Sequence, residues 1–419
     1  MRLMPPWGWL TCVLAWGTGL LCFEGSALAA ENDIHVPSSS QVTLHDTVQQ
    51  AVERYPRTRL LEARSAQVEA LRRQTESVVA GAPALLLRHQ TDRIGSSDGL
   101  REWEGGIQLP LWLPGQRQAR RAFTERAGEG LPSFESALRL EVAGQVRERL
   151  WDVVLMENET LVTEGQWRAA QALEEDVRKR VTAGELAKVD LLLVQDETLR
   201  RQALYLRART ELKHTLHRYD VLTGSEVLPV ARNETLSNRD SIGDDHPLLA
   251  DSRARVAQAL AETDLVRQER RANPQLSLST RQEQSTRRSD ANDSVGISLT
   301  LPLLNTAHAG PRMAAAAVAL AEAQSARDTL RRELELALDE SEHSVQLARQ
   351  QHELSIKQNH LAQENLRLMK KAFALGEIDL VDLMRVQTLA FTAEYNEQQS
   401  GLQLQRAIAR YNQAAGEIP

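Results

Sequence analysis

Two aspartates, Asp190 and Asp382, are the best-placed chemical groups in this sequence. Each lies six residues after a glycine, in "GELAKVDLLLVQ" from Gly184 and "GEIDLVDLMRVQ" from Gly376. Gly184, Glu185, Asp190, Leu191 and Gln195 all recur 192 positions later, as Gly376, Glu377, Asp382, Leu383 and Gln387. A carboxylate early in a helix is favoured by the helix dipole, and several in a confined space would attract cations. Other chemistry is sparse. His214 and His217 can share a helix face, but no acid or cysteine motif surrounds them, so no metal site is expected. His343, His352 and His360 read as solvated or packed. Both cysteines, Cys12 and Cys22, fall within the first 30 residues, so the rest of the chain offers no thiol or disulfide chemistry. There is no nucleotide-binding loop and no catalytic constellation. The residues point to no enzyme and no cofactor, and the net charge of −7 gives no sign of a nucleic-acid partner.

The elements that must position these acids are written twice. "YPRTRLLEARSAQVEAL" from Tyr55 resembles "HPLLADSRARVAQAL" from His246, and "APALLL" from Ala82 resembles "NPQLSL" from Asn273. "IQLPLW" from Ile107 resembles "LTLPLL" from Leu299, and Gly224 recurs as Gly416. Ordered matches at a nearly fixed offset indicate a tandem duplication, with repeats at about 42–224 and 246–416. Each half predicts a helix (near 44–80 and 247–271), a strand pair, a very long helix, a short turn and a second long helix. After Pro311 no glycine interrupts the chain until Gly376, enough for a helix of about 100 Å. On it Leu347, Leu354, Leu361, Leu368 and Leu375 recur every seven residues, the spacing of a seam against a neighbouring helix. The matching first-half helix carries "AGEGLPSF" at 127–134, where Pro132 and two glycines predict a kink or break.

The strand segments alternate. Val295, Ile297, Leu299 and Leu301 interleave with Gly296, Ser298 and Thr300; Leu276 and Leu278 interleave with Ser277 and Ser279. Leu85, Leu87, Ile107, Leu109 and Leu111 repeat the pattern. Such alternation fits a half-buried strand or a barrel strand with one face to lipid and one to water. The expected spans, about 84–112 and 275–304, hold strands of ~10 residues, close to the ~9–11 of a tilted membrane strand. Trp103 and Trp112 sit at opposite ends of one strand, as interface aromatics or as packing residues. Four strands cannot close a barrel in lipid. Either they form an ordinary soluble sheet, or copies share a barrel; three copies would supply twelve strands. At the N-terminus, Arg2, an apolar run from Trp7 to Phe23 and the small residues of "SALAA" read as a signal peptide over 1–30. A membrane anchor is the alternative, and Cys22 is a candidate lipid-attachment cysteine.

With these features in place, the chain resembles the TolC-like outer-membrane efflux proteins from about Val42 to Gly416. The resemblance rests on the duplicated layout, Pro110 and Pro302 at strand ends, the Gly-x5-Asp-Leu turns at Gly184 and Gly376, and the glycines Gly224 and Gly416. Length and "SLTLPLLNTAHAGPRMAAA" look most like the heavy-metal, CzcC-like branch. The resemblance implies a mainly α fold with a small β part. A homotrimer would form a 12-stranded outer-membrane barrel continuous with a periplasmic helical barrel, in contact with outer-membrane lipid. It implies docking of a periplasmic adaptor (a membrane fusion protein) at the tip turns, Gly184, Glu185, Leu186, Gly376, Glu377 and Ile378. An inner-membrane transporter of RND type would stand behind the adaptor. Asp190, Asp382, Arg385 and Phe373 become gate or lumen candidates. Two departures matter. Ile378 stands where the family can carry a basic gate residue, and Arg385 stands where a second acid can follow. The expectation is that Arg385 pairs with Asp382 or with a neighbouring subunit's acid.

A periplasmic adaptor or coiled-coil protein is the main rival reading, and a secreted enzyme is a third with no support. Metal cations are the first choice of cargo on branch resemblance alone, with drugs, other small molecules or secreted proteins as alternatives.

Overall fold

The computed structural model describes residues 36–95, 98–303 and 306–419. The expected signal peptide with Cys12 and Cys22 lies outside the described residues, as do Leu304 and Asn305 of the "LLNTAHAG" stretch. In chain order the elements are β1 (Ser38–Ser39), α1 (Leu44–Arg54), α2 (Thr58–Glu76), β2 (Ala84–Thr91), β3 (Arg101–Pro110), α3 (Gln116–Thr182) and α4 (Lys188–Thr223). There follow β4 (Leu228–Pro229), α5 (Pro247–Gln268), β5 (Gln275–Gln284), β6 (Asn292–Thr300), α6 (Thr306–Ala374) and α7 (Leu380–Ala414). The order helix, strand pair, long helix, helix therefore occurs twice.

The expected first helix over 44–80 is two helices. Tyr55 precedes Pro56 and takes an extended conformation, because the proline ring disfavours helical geometry in the residue before it. The second-half counterpart, α5, has its proline at the first helical position and stays whole, since no amide hydrogen is needed there.

The expected break at 127–134 is absent: α3 runs for 67 residues with Pro132 inside it. Its two glycines serve packing instead. A side chain at Gly128 would meet Val68 of α2 at 3.4 Å, and one at Gly130 would meet Ala254 of α5 at 3.5 Å. The helix is held from both sides across the residue that should interrupt it. In the 69-residue α6 the proline, Pro311, lies near the start, as the sixth residue.

The long helices lie side by side. α4 packs on α3, α3 on α7, and α7 on α6, while α5 bridges α3 and α6. In this order, α4–α3–α7–α6, the outermost of the long helices are α4 and α6. Core residues sit between the helices. One cluster joins Leu249 of α5, Leu334, Leu338 and Val345 of α6, and Tyr411 of α7. Another joins all four long helices near the turns through Val177, Val194, Leu366, Phe373, Leu380 and Leu383.

The duplication is visible in one matched contact. Gly224 ends α4 with φ +79° and lies against Arg54; Gly416 follows α7 with φ +83° and lies against His246. Both glycines take a left-handed conformation, and both pack at the chain segment that opens their own repeat.

Candidate functional site

The strand pairs of the two halves join into one antiparallel sheet of order β2-β3-β5-β6. The joint is β3 with β5, where Ile107 faces Leu278 and Leu109 faces Leu276. This register carries the alternation across all four strands. Leu85 opposes Ile107 on one side of β3, and Leu278 opposes Ile297 on the far side of β5. One face therefore gathers the apolar residues, with Leu85, Leu87, Ile107, Leu278, Ile297 and Val295 all exposed on it, and turns polar toward the hairpin tips at Gln282 and Asp293. The opposite face carries Arg88, Glu102, Glu104, Ser277, Ser279, Arg281 and Ser298, alternate residues of the same strands. Among these Arg281 donates to Glu102 at 2.7 Å. The outer edges of β2 and β6 pair with no strand among the described residues. An exposed apolar face with two open edges is poorly suited to water, where it invites edge-to-edge association.

The two tryptophans separate. Trp103 is exposed on the apolar face and stacks on His89 with ring centroids 4.1 Å apart. Trp112 is packed, its indole N–H donating to the Ser77 carbonyl at 3.1 Å.

At the far end of the helices the two turns share one geometry. Gly184 (φ +82°) and Gly376 (φ +75°) are left-handed, and open space surrounds each. The Glu185 N–H donates to the Arg180 carbonyl and the Glu377 N–H to the Ala372 carbonyl, each at 2.9 Å. These bonds satisfy the last carbonyls of α3 and α6. Gly184, Glu185, Gly376 and Glu377 are exposed, whereas Leu186 and Ile378 are half-buried against the four-helix cluster. Ile378 thus makes an apolar contact at the position where the sequence resemblance allows a basic residue.

The return helices begin differently. The Asp190 carboxylate accepts from the N–H of Ala187 at 3.0 Å and so caps its own helix. In the second turn Asp379 takes the capping role and accepts from the N–H of Asp382 at 2.8 Å. The Asp382 carboxylate is left exposed, without a hydrogen bond or ion pair among the described residues. One oxygen of Asp190 is thus engaged at its helix start, whereas the Asp382 carboxylate carries no such bond. Arg385 is exposed and forms no ion pair with Asp382 within the chain.

Phe373, a gate or lumen candidate, sits inside the helix layer near the turns. It is 7% exposed and packs in the four-helix cluster. The Arg180 guanidinium of α3 stands 4.9 Å from its ring centroid, a cation–π contact between the two hairpins. Arg201 of α4 makes a parallel bridge, 5.6 Å from the Phe391 ring and 3.4 Å from the Thr388 hydroxyl. Sequence reasoning missed both contacts, because nothing local in either hairpin marks its partner.

Midway along the helices α3 and α7 are joined by charge. Buried Arg147 donates to both Glu234 oxygens (2.9 and 2.6 Å) and to Gln413 (2.6 Å). Burial acts to raise the Glu148 carboxyl, but hydrogen bonds from Arg410 and Arg406 outweigh it and hold it at about 2. Among the described residues, no three His, Cys, Asp or Glu side chains form a cluster able to hold a metal ion. No described helix is long and apolar enough to cross a membrane.

No family model and no curated relative matches the chain. Solved structures do. The outer membrane protein VceC of Vibrio cholerae superposes with a TM-score of 0.69 at 12% identity, covering 89% of this chain and 96% of that one. The CmeC outer membrane channel of Campylobacter jejuni gives 0.68 at 14% identity, covering 93% and 90%. CusC gives 0.70 at 12% identity, covering 89% and 92%. The chain has the fold of outer-membrane channels. Coverage near nine-tenths in both directions extends that likeness to sheet, long helices and turns together.

Proposed function

We propose that this protein is the outer-membrane exit duct of a tripartite efflux system, working as a homotrimer without enzymatic activity or cofactor. The observation that carries the proposal is the open edge repeated at both levels. The sheet has an open outer edge on β2 and on β6, and the layer of long helices ends in α4 and α6, whose exposed faces carry Leu192, Leu199, Leu354 and Leu361. Three copies close both into rings, with the apolar face toward lipid and the charged and serine-lined face toward a wet lumen. The fold likeness to outer-membrane channels supports the same reading. An adaptor would carry one helical hairpin within β-rich domains, which this duplicated layout does not resemble.

At the turns, exposed Gly184, Glu185, Gly376 and Glu377 offer a surface to a periplasmic adaptor backed by an inner-membrane pump of RND type. Half-buried Leu186 and Ile378 hold that surface in place. Asp382 lines the narrow end of the lumen, and Arg385 meets an acid of a neighbouring copy there. The cargo is read as heavy-metal cations, on the CzcC-like sequence resemblance and the available Asp382 carboxylate.

Membrane fractionation followed by bilayer recording tests the proposal. A trimer recovered from outer membranes, conducting in planar bilayers, is expected; a soluble monomer in periplasmic extract overturns it. In the recordings Asp382→Asn should lower cation preference while Asp190→Asn leaves it nearly unchanged. Deletion of the gene should raise metal sensitivity when the cognate pump is expressed. Sensitivity to drugs alone would reassign the cargo.

A further inference from the structure

A cleft of about 350 Å³ opens where the sheet meets the helices, between the start of α3, the end of α5 and the start of α6. That volume falls within the ~300–1,000 Å³ of small-molecule sites. Its charge is lopsided. Arg120, Arg270, Arg271 and Arg312 line it against the single carboxylate of Glu269. Glu269 is already engaged by Arg120 and, at 3.4 Å, by Arg312. Arg270 and Arg271 are exposed and form no ion pair among the described residues. The Arg120 Nε is buried without an acceptor. A chain with a net charge of −7 thus concentrates uncompensated arginine at one place.

The floor is built rather than incidental. Gln116, almost fully buried, exchanges hydrogen bonds with Asn273: one amide donates at 3.2 Å and the other at 2.7 Å. Asn273 also donates to the Leu111 carbonyl at 2.8 Å. The cleft is therefore fixed to both repeats. An adjoining cleft of arginines shows the contrast, since Arg72 and Arg121 there are accompanied by Glu76, Glu125 and Glu129.

The surroundings identify the ligand class. Leu303 lines the cleft and is 90% exposed. It continues the row Val295, Ile297, Leu299 and Leu301, the exposed apolar face of β6 and its extension. An apolar strip that ends in a guanidinium cluster complements an amphiphile with an anionic head. Guanidinium groups suit phosphate oxygens through paired, charge-assisted hydrogen bonds, and basic pockets beside membrane surfaces take acidic headgroups. We propose that this cleft binds the phosphate headgroup of an anionic glycerophospholipid, with its acyl chains lying along β6. The inference rests on the sheet being the membrane-facing surface.

Native mass spectrometry of the full-length trimer in detergent tests it, with phosphatidylglycerol and phosphatidylcholine vesicle lipids added in parallel. Phosphatidylglycerol should bind preferentially. The double variant Arg270→Gln/Arg271→Gln should weaken that binding by about tenfold or more, the worth of one charge-assisted hydrogen bond. Arg72→Gln/Arg121→Gln in the acid-rich cleft should leave it unchanged. Equal binding of the two lipids, or no loss in the first variant, overturns the proposal. Displacement of phosphatidylglycerol by equimolar inorganic phosphate also overturns it, assigning a free-anion site. Recovery of both variants as outer-membrane trimers separates these failures from failure of the channel reading, which a soluble wild type would reveal.

Discussion

His246 is 1% exposed at the start of α5, and burial pushes its imidazole below the usual range. The neutral form is therefore bound into the fold, while the unfolded chain protonates near ~6.5. Its contribution to stability is complete above that pH and declines as pH falls through it toward the lower folded value. The thermal midpoint should drop between pH 7 and pH 5, and His246→Phe should flatten that slope; an unchanged slope assigns the acid sensitivity elsewhere. The neighbouring Gly416 makes a second test. Gly184→Ala places a side chain in open space at φ +82°, so only backbone strain of about 1–2 kcal/mol is expected. Gly416→Ala adds a clash, since its Cβ would lie 2.6 Å from the His246 ring. Denaturant titration should show Gly416→Ala as the more damaging of the two, although both glycines close helices with the same backbone pattern.

At the scale of elements, α3 carries the plainest conflict between local preference and packing. Pro132 lacks the amide hydrogen its place in the helix calls for, a cost of ~3 kcal/mol in a helix interior. Contacts of Gly128 with α2 and of Gly130 with α5 hold the helix through it. Pro132→Ala should therefore stabilise the protein, up to about that amount, and calorimetry should show a raised midpoint. The same case marks what local sequence can convey. Strand alternation, the turn glycines and the length of α6 were legible because each follows from the spacing of residues in one segment. The break at Pro56 was equally local, yet it was masked by helical residues on both sides. The continuity of α3 was not legible, because it depends on contacts from segments far away in sequence. The β3–β5 pairing and the Arg180–Phe373 contact belong with it. At the tips, the chemical difference between Asp190 and Asp382 lay in which neighbour could cap: alanine at 187, aspartate at 379.

For the whole molecule, the heptad leucines of α6 decide between a finished monomer and a part of something larger. Leu347, Leu354, Leu361, Leu368 and Leu375 are all exposed, with Leu361 70% so. The residues of α6 that meet α7 are a different set, including Val345, Leu366 and Phe373. The helix thus has two apolar faces, and the protomer uses one. On the opposite flank α4 exposes Val189, Leu192 and Leu199. Burial of such a seam contributes ~25 cal/mol per Å² of apolar surface, so repeated leucines along helices this long favour a stable neighbour. In the proposed trimer the neighbour is the α4 flank of the next copy. Leu354→Glu/Leu361→Glu would put two carboxylates into that seam while changing no contact within the protomer core. Circular dichroism should report an unchanged helix content, and light scattering in detergent should show the trimer lost. A trimer that survives both charges would place the closing contact on another face of the layer.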